Sequence, residues 1–344
     1  MASLPRASAL WPGAVAVSGG GDSVALMVLL ATWAKEQRVP PPIVLTVDHG
    51  LRRTSRAEAQ AVVRAANRLG LQAHILVWKG PRPRADIEAA AREARYRIMG
   101  EWCRAHAVPA LYVAHSLDDQ AETFLLRLAR GSGVDGLSAM RAVSSYPVRG
   151  IEGVMLVRPL LGFGRTELRA TLEAQGLKWL EDPMNSDPRF ARSRLRAAWP
   201  ALQKAGLSAA RIGDAARHMR RARDALDWAT GTFLAAGCRF EDGAAALDGE
   251  LLAAAPREIG LRALARIVMA VSGAVYRPRF ERLERLYDAI VRGQLGAGAT
   301  LLGCKVAPAP KRRTVFGGRT LWIAPERPRR LRNAQAGPKQ APAR

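Results

Sequence analysis

Six residues near the start of the chain, Ser18-Gly19-Gly20-Gly21-Asp22-Ser23, are suited to touching a phosphate. They separate the apolar run "AVAV" from the apolar run "VALMVLL", the pattern of a strand that turns into a helix. Glycines there let the backbone fold tightly and bring its N–H groups close to a ligand. The helix N-terminus adds orphan donors and the positive end of its macrodipole, and Ser18 and Ser23 add hydroxyls. Asp22 is the odd member, because a carboxylate repels phosphate. It reads as a first-turn helix residue or as a neighbour of Mg2+. The stretch is neither a Walker A loop, which needs Gly-Lys-Ser/Thr, nor a Gly-x-Gly-x-x-Gly turn.

Other blocks carry chemistry at strand ends. "VDHGLR" closes the second apolar run with Asp48 and His49. "EAAAREARYR" puts Glu88, Arg92, Arg95 and Tyr96 on one helical face, as a solvated, salt-bridged helix also would. "HSLDDQAETFLLRLARGSG" sets His115 at a strand end, then Asp118, Asp119 and Glu122 within about one helical turn, and later Arg127 and Arg130. Three carboxylates this close repel one another unless a cation, either a metal ion or an ammonium group, sits among them. An acidic first helical turn would look the same. "DPMNSDPRFARSRLR" supplies Arg189, Arg192, Arg194 and Arg196, which either clamp phosphates or are solvated.

The elements that must position these residues follow from periodicity. "AVAVS", "PIVLTVD", "AHILVW" and "ALYVAHS" alternate with helix-like segments at 22–35, 55–69 and 86–107, and "VMLVRPL" reads as a fifth strand. Apolar strands alternating with helices predict an α/β fold, a parallel five-stranded, doubly wound, Rossmann-like sheet. Ligands of such sheets bind beyond the carboxyl ends of the strands. After about residue 202 the pattern changes to three amphipathic helices, and then to short strand-like pieces among Gly and Pro. The expected division is a catalytic domain at 1–202, a helical domain at 203–298, a small strand-containing basic region at 299–325, and a disordered basic tail at 326–344.

Composition narrows the partners. Lys and Arg number 53 against 30 Asp and Glu, a formal net charge of +23, which favours a nucleic-acid partner. An Arg-rich, GC-biased composition accounts for part of that excess. Three well-separated cysteines, with no C-x-x-C pair, argue against a disulfide framework, a zinc ribbon or an iron–sulfur site. No apolar run is long enough to cross a bilayer and the first residues carry no secretory pattern, so a cytoplasmic protein without membrane partners is expected.

In this order, "SGGGDS", "VDHGLR", "EAAAREARYR", "HSLDDQAETFLLRLARGSG" and "RPLL" leading to "DPMNSD" resemble the tRNA(Ile)-lysidine synthase family of PP-loop ATP pyrophosphatases. The resemblance covers roughly residues 14–196, and departs from the family pattern at Met184 and Ser193. It implies ATP and Mg2+ as cofactors, with Ser18 to Ser23 on the pyrophosphate and Mg2+ near Asp22 and Asp119. The partners it implies are free L-lysine and an isoleucine tRNA with a CAU anticodon. ATP would adenylate C2 of the wobble cytidine, and the lysine ε-amine would then displace AMP. Asp119 and Glu122 are expected to hold lysine, Asp48 or His115 to take a proton, and His49 and Asp118 to lie at the catalytic or Mg2+ site. Arg92, Arg95, Arg127 and Arg130 are the expected cations for phosphate charge. Arg189, Arg192, Arg194 and Arg196 are expected to face tRNA, and a homodimer is compatible with the family. The rival within the superfamily, a tRNA thiolase, is disfavoured by the absence of paired cysteines.

Overall fold

The computed structural model describes residues 9–50, 53–80, 87–180, 191–274 and 276–326. Its chain divides into two compact units, 1–223 and 224–344.

The first unit is built on a six-stranded sheet in the order β3-β2-β1-β4-β6-β5. Its strands are β1 (Ala14–Ala16), β2 (Ile43–Asp48), β3 (Ala73–Val77), β4 (Ala110–Tyr112), β5 (Val143–Ser145) and β6 (Met155–Val157). The five strands expected from sequence are present and mutually parallel. The sixth, β5, adds antiparallel to β6. Three residues with a half-exposed pattern give no periodicity to read, so this strand is invisible in the sequence.

Alternation along the strands splits the core into two layers. Val15, Val44, Tyr112 and Val157 pack beneath α1 (Gly21–Gln37), α2 (Ser55–Arg68) and α6 (Arg165–Glu173). Ala14, Leu45, Leu111 and Leu156 face the opposite way, toward Met99 and Cys103 of α3 (Ile87–Ala105). The chain runs outward from β1 to β2 to β3 and then returns to the other side of β1 as β4. The reversal makes the crevice between β1 and β4 the topological switch point. Three more helices complete the surroundings: α4 (Leu117–Leu128), the short α5 (Val134–Leu137) and α7 (Ala191–Lys204). Helix α8 (Ala209–Gly237) follows, and the division between the units falls within it.

The second unit departs from the expected partition into a helical domain and a separate strand region. A hairpin of β7 (Cys238–Glu241) and β8 (Ala244–Asp248) precedes α9 (Gly249–Ala254), α10 (Arg257–Ser272) and α11 (Phe280–Val291). The strands β9 (Ala299–Leu301), β10 (Cys304–Pro308) and β11 (Thr320–Pro325) join that hairpin in one antiparallel sheet, ordered β7-β8-β11-β10-β9. Leu247, Leu264, Ile267, Val306 and Ile323 share a single core. Residues 299–325 are therefore the centre and edge of one domain with the helices, and the boundary near 298 does not hold. The hairpin leaves no strand signature in the sequence, because "GAAALDG" is alanine-rich and favours helix by propensity. The tail from 327 lies outside the described residues. Among those described, no helix is long and apolar enough to cross a membrane.

A chain cut after residue 298 loses the central strand β11 and leaves the apolar faces of β8 and α10 uncovered. Hydrogen exchange should find the β8 amides protected in the full chain and unprotected in the truncated one. Retained protection would restore 299–325 as an independent appendage.

Candidate active site

The loop after β1 has the conformation its glycines allow. Gly19 has φ +92°, and a Cβ there would meet the Leu180 side chain at 2.8 Å. Gly20 caps α1, its carbonyl accepting from the amides of Ser23 and Val24 at 3.0 Å each. The Ser23 hydroxyl is buried and donates to the Gly20 carbonyl at 2.8 Å, while the Ser18 amide donates to the same hydroxyl at 3.2 Å. Ser23 thus shapes the loop from within, whereas Ser18 is exposed at its mouth. The Leu180 amide donates to the Gly19 carbonyl at 2.9 Å, an outer buttress the sequence did not signal.

The carboxylates at the start of α4 do meet a cation, and it belongs to the chain. Arg165, the first residue of α6, donates to Asp22 at 3.3 Å, to Asp119 at 2.7 Å and to Glu122 at 2.9 Å. Its backbone amide donates to Asp118 at 2.8 Å, so Asp118 caps α6. Glu122, 3% exposed, also accepts two hydrogen bonds from Arg196, at 2.7 and 3.2 Å. Asp119 accepts from the amide and hydroxyl of Ser116 at 2.9 and 3.1 Å, and Arg192 lies 3.9 Å away. Burial holds the Asp22 carboxyl above the usual carboxylate range against the pull of Arg165. Burial would also raise Asp119, but Arg165, the Ser116 amide, His115 and Arg192 together bring it below that range. Beside this network lies a cavity of about 140 Å³, lined by Asp118, Glu122, Arg165, Arg196 and Trp199.

Several expected residues stand elsewhere. Asp48 is buried at the end of β2, where its Oδ1 accepts from the Ser55 hydroxyl and the Gly50 amide and its Oδ2 faces Arg56. His49 follows it, half-buried. Arg127 donates to the carbonyls of Gly136 and Ala139 at 2.8 and 3.1 Å, tying down the turn around α5. Arg127 lies about 12 Å along α4 from Asp119 and Arg130 lies past the end of that helix, and no contact of either with the carboxylates is seen among the described residues. Arg92 is exposed on α3 and pairs with Tyr96, while Arg95 is half-buried on the same helix. Arg192 and Arg196, expected to face tRNA, turn inward to Asp119 and Glu122, one helical turn apart on α7. Arg194 is exposed on that helix. Arg189, Met184 and the Glu88 side chain lie outside the described residues.

His115 sits past β4 with its Nδ1 buried and unpartnered. Burial pushes it down to about 4, the charges of Arg92, Arg158 and Arg192 adding to the effect and Asp119 opposing it. The site residues that spacing alone missed are Arg165, Arg158 and Trp199. "GRTEL" does show a helix start with an arginine at its first position, but no local pattern says which carboxylates it reaches.

Known proteins resemble this chain over most of its length. A family model described as a PP-loop domain matches residues 11–202. The chain is 43% identical to the tRNA(Ile)-lysidine synthase of Methylobacterium nodulans, across 93% of this chain and 94% of that one. It is 42% identical to the tRNA(Ile)-lysidine synthase of Ruegeria pomeroyi, across 90% and 74% respectively. For the tRNA(Ile)-lysidine synthase of Wolbachia pipientis the identity is 40%, across 85% and 67%.

Removing the shared cation should be costly. Arg165→Met leaves buried carboxylates under-compensated and should destabilise the first unit by about 3 kcal/mol at pH 7. In that variant the folded-state carboxyl pKa values rise, so its deficit shrinks as pH falls toward 5, where the carboxyls take up protons. Urea unfolding at both pH values measures this; a pH-independent deficit would contradict the ion network. A second check is NMR of labelled histidines: His115 should stay neutral down to about pH 5, below the ordinary histidine midpoint. A midpoint near 6.5 would remove the argument from burial.

Proposed function

The chain belongs to the tRNA(Ile)-lysidine synthase family, and from that premise we propose that it converts the wobble cytidine of a CAU-anticodon isoleucine tRNA to lysidine. The observation that carries the reading is the Arg165 bridge, which joins Asp22 of the phosphate loop to Asp119 and Glu122 of α4. An ATP-gripping turn and a cation-selecting carboxylate cluster are thereby parts of one site.

In the first step the C2 oxygen of cytidine attacks the α-phosphorus of ATP, and pyrophosphate leaves. The backbone N–H groups at the start of α1 suit the departing phosphates, and α1 contributes the positive end of its dipole. Mg2+ binds such phosphates through one or two carboxylates and water. Asp22 fits that demand, as a first-turn carboxylate of α1 beside the phosphate loop with one oxygen on Arg165. Asp119 is bonded through both oxygens, to Ser116 and to Arg165, so an ion there would have to share or displace those contacts. When bound, the ion would neutralise charge on the phosphates.

In the second step the lysine ε-amine attacks C2, forming the C–N bond as AMP leaves with its electron pair. Free lysine carries an ammonium with a pKa near ~10.4, so it must be both held and deprotonated. Asp119 and Glu122 are the groups we assign to holding it. Because they are shared with Arg165 and Arg196, lysine must take up hydrogen-bond positions that these arginines now fill. His115, pushed down to about 4, is no stronger a base than an ordinary carboxylate, so its pKa gives it no advantage in taking that proton.

A thiol-dependent alternative has little support. Burial pushes the thiol of Cys103 up to about 12 and that of Cys238 to about 11, and Cys304 is raised as well. For the RNA, exposed Arg194 and Arg221 are our candidates for backbone phosphate contacts, which predicts a steep salt dependence of binding.

The test is transfer of radiolabelled lysine to unmodified isoleucine tRNA with ATP and Mg2+. Label should enter that tRNA and not a methionine tRNA with the same anticodon. Glu122→Gln should raise the lysine KM about tenfold or more, the worth of one charge-assisted contact. Pyrophosphate release with a sulfur donor instead of lysine would overturn the reading.

A further inference from the structure

The carboxyl edge of β4 and β6 holds two buried polar atoms that the network around Arg165 leaves without a partner. One is Nδ1 of His115, three residues past β4; the other is Nε of Arg158, the residue after β6. The two strands are parallel neighbours. Tyr112 lies opposite Val157, and the Val113 amide donates to the Val157 carbonyl at 2.9 Å. Both side chains therefore arise at one sheet edge, one strand beyond the crevice that receives the phosphate loop.

The Arg158 guanidinium is fixed in place. Its Nη1 donates to the Arg141 carbonyl at 2.9 Å and to the Ser144 hydroxyl at 3.1 Å, which anchors one arm of the fork against β5. The Nε–H is left to serve something else, and a buried donor of this kind is expensive to leave unpaired. Two further arginines surround the pair, and Asp119 is the carboxylate whose charge is felt at His115. Arg92 reaches the Tyr96 hydroxyl at 3.4 Å, Arg192 lies 3.9 Å from Asp119, and both charges are felt at His115. A guanidinium edge and a neutral imidazole flanked by two more arginines make a receptor for a small oxyanion.

We propose that this edge binds the α-carboxylate of the amino-acid substrate, with Arg158 Nε and His115 Nδ1 as donors. The proposal rests on the lysine-transferring reading above and completes it at the other end of the substrate. Lysine carries its ammonium on a flexible four-carbon stem, with the carboxylate at the far end. The two sets of partners are linked through one residue: Asp119 is bonded to Ser116, the residue next to His115. A dipolar ligand satisfies both halves. An RNA phosphate here would bring negative charge toward Asp119 and Glu122 with no positive charge of its own to offset it.

Cadaverine, which is lysine without the carboxylate, separates the possibilities. In Arg158→Met, and independently in His115→Leu, the lysine KM should rise about tenfold or more while the KM values for ATP and tRNA stay put. The preference for lysine over cadaverine, as amine donor or as competitor, should fall by the same factor. If lysine and cadaverine weaken alike, the residues only support the fold; if the tRNA KM rises instead, the edge serves a phosphate. Either result overturns the proposal. Failure of the unsubstituted protein to transfer lysine would instead overturn the function reading beneath it.

Discussion

Arg165 brings one guanidinium to three carboxylates that come from two other helices, and much else follows from it. Asp119 and Glu122 are almost fully buried and Asp22 is partly so. Carboxylates crowded in that way raise one another's pKa and push their helices apart. A guanidinium suits the task better than an ammonium, because its planar fork addresses separate acceptors in fixed directions. The amide of the same residue is capped by Asp118, so α4 and α6 are tied by main chain as well as side chain. The N-termini of α1, α4 and α6 meet at this point, and their dipoles add to the compensation of negative charge.

Topology explains why that meeting is possible. The reversal of strand order opens a crevice between β1 and β4, into which α1 and α4 both begin. Strand β6 lies beside β4, so the chain leaving it emerges within reach of α4 and returns as α6. The Leu117 amide, donating to the Phe163 carbonyl at 2.9 Å, fixes that return just before Arg165. The same placement explains Arg158, which emerges one strand further out, its charge felt at His115.

Local chemistry in this chain was legible, and long-range pairing was not. "SGGGDS" between two apolar runs announces its turn, because glycine tolerance and strand–helix periodicity are properties of a few adjacent residues. "HSLDDQAE" announces a need for a cation by the proximity of its charges. Which cation answers is a tertiary fact: Arg165 is 43 residues from Glu122, in a chain with many arginines to choose from. The same reason misdirected Arg192 and Arg196, whose i, i+4 spacing fits a solvated phosphate clamp as well as an inward face. In the second unit, β11 is the central strand, yet it pairs with a hairpin more than 70 residues earlier. Such pairings leave no periodic mark on either segment.

The distribution of charge carries a functional argument that the net value does not. A surplus of +23 attracts RNA, but the proposed site lies among four carboxylates that would turn a polyanion away. Arg165, Arg196 and Arg192 cancel most of that negative charge at contact distance, where screening by salt is weakest. On the proposed assignment the carboxylates keep their selectivity for an ammonium that enters among them, while at longer range the site no longer repels ATP and the anticodon loop. A cluster of bare carboxylates would select the amine and exclude the nucleic acid, and an all-basic crevice would do the reverse. Interleaving the two signs lets one crevice accept a cationic amine and two polyanions together.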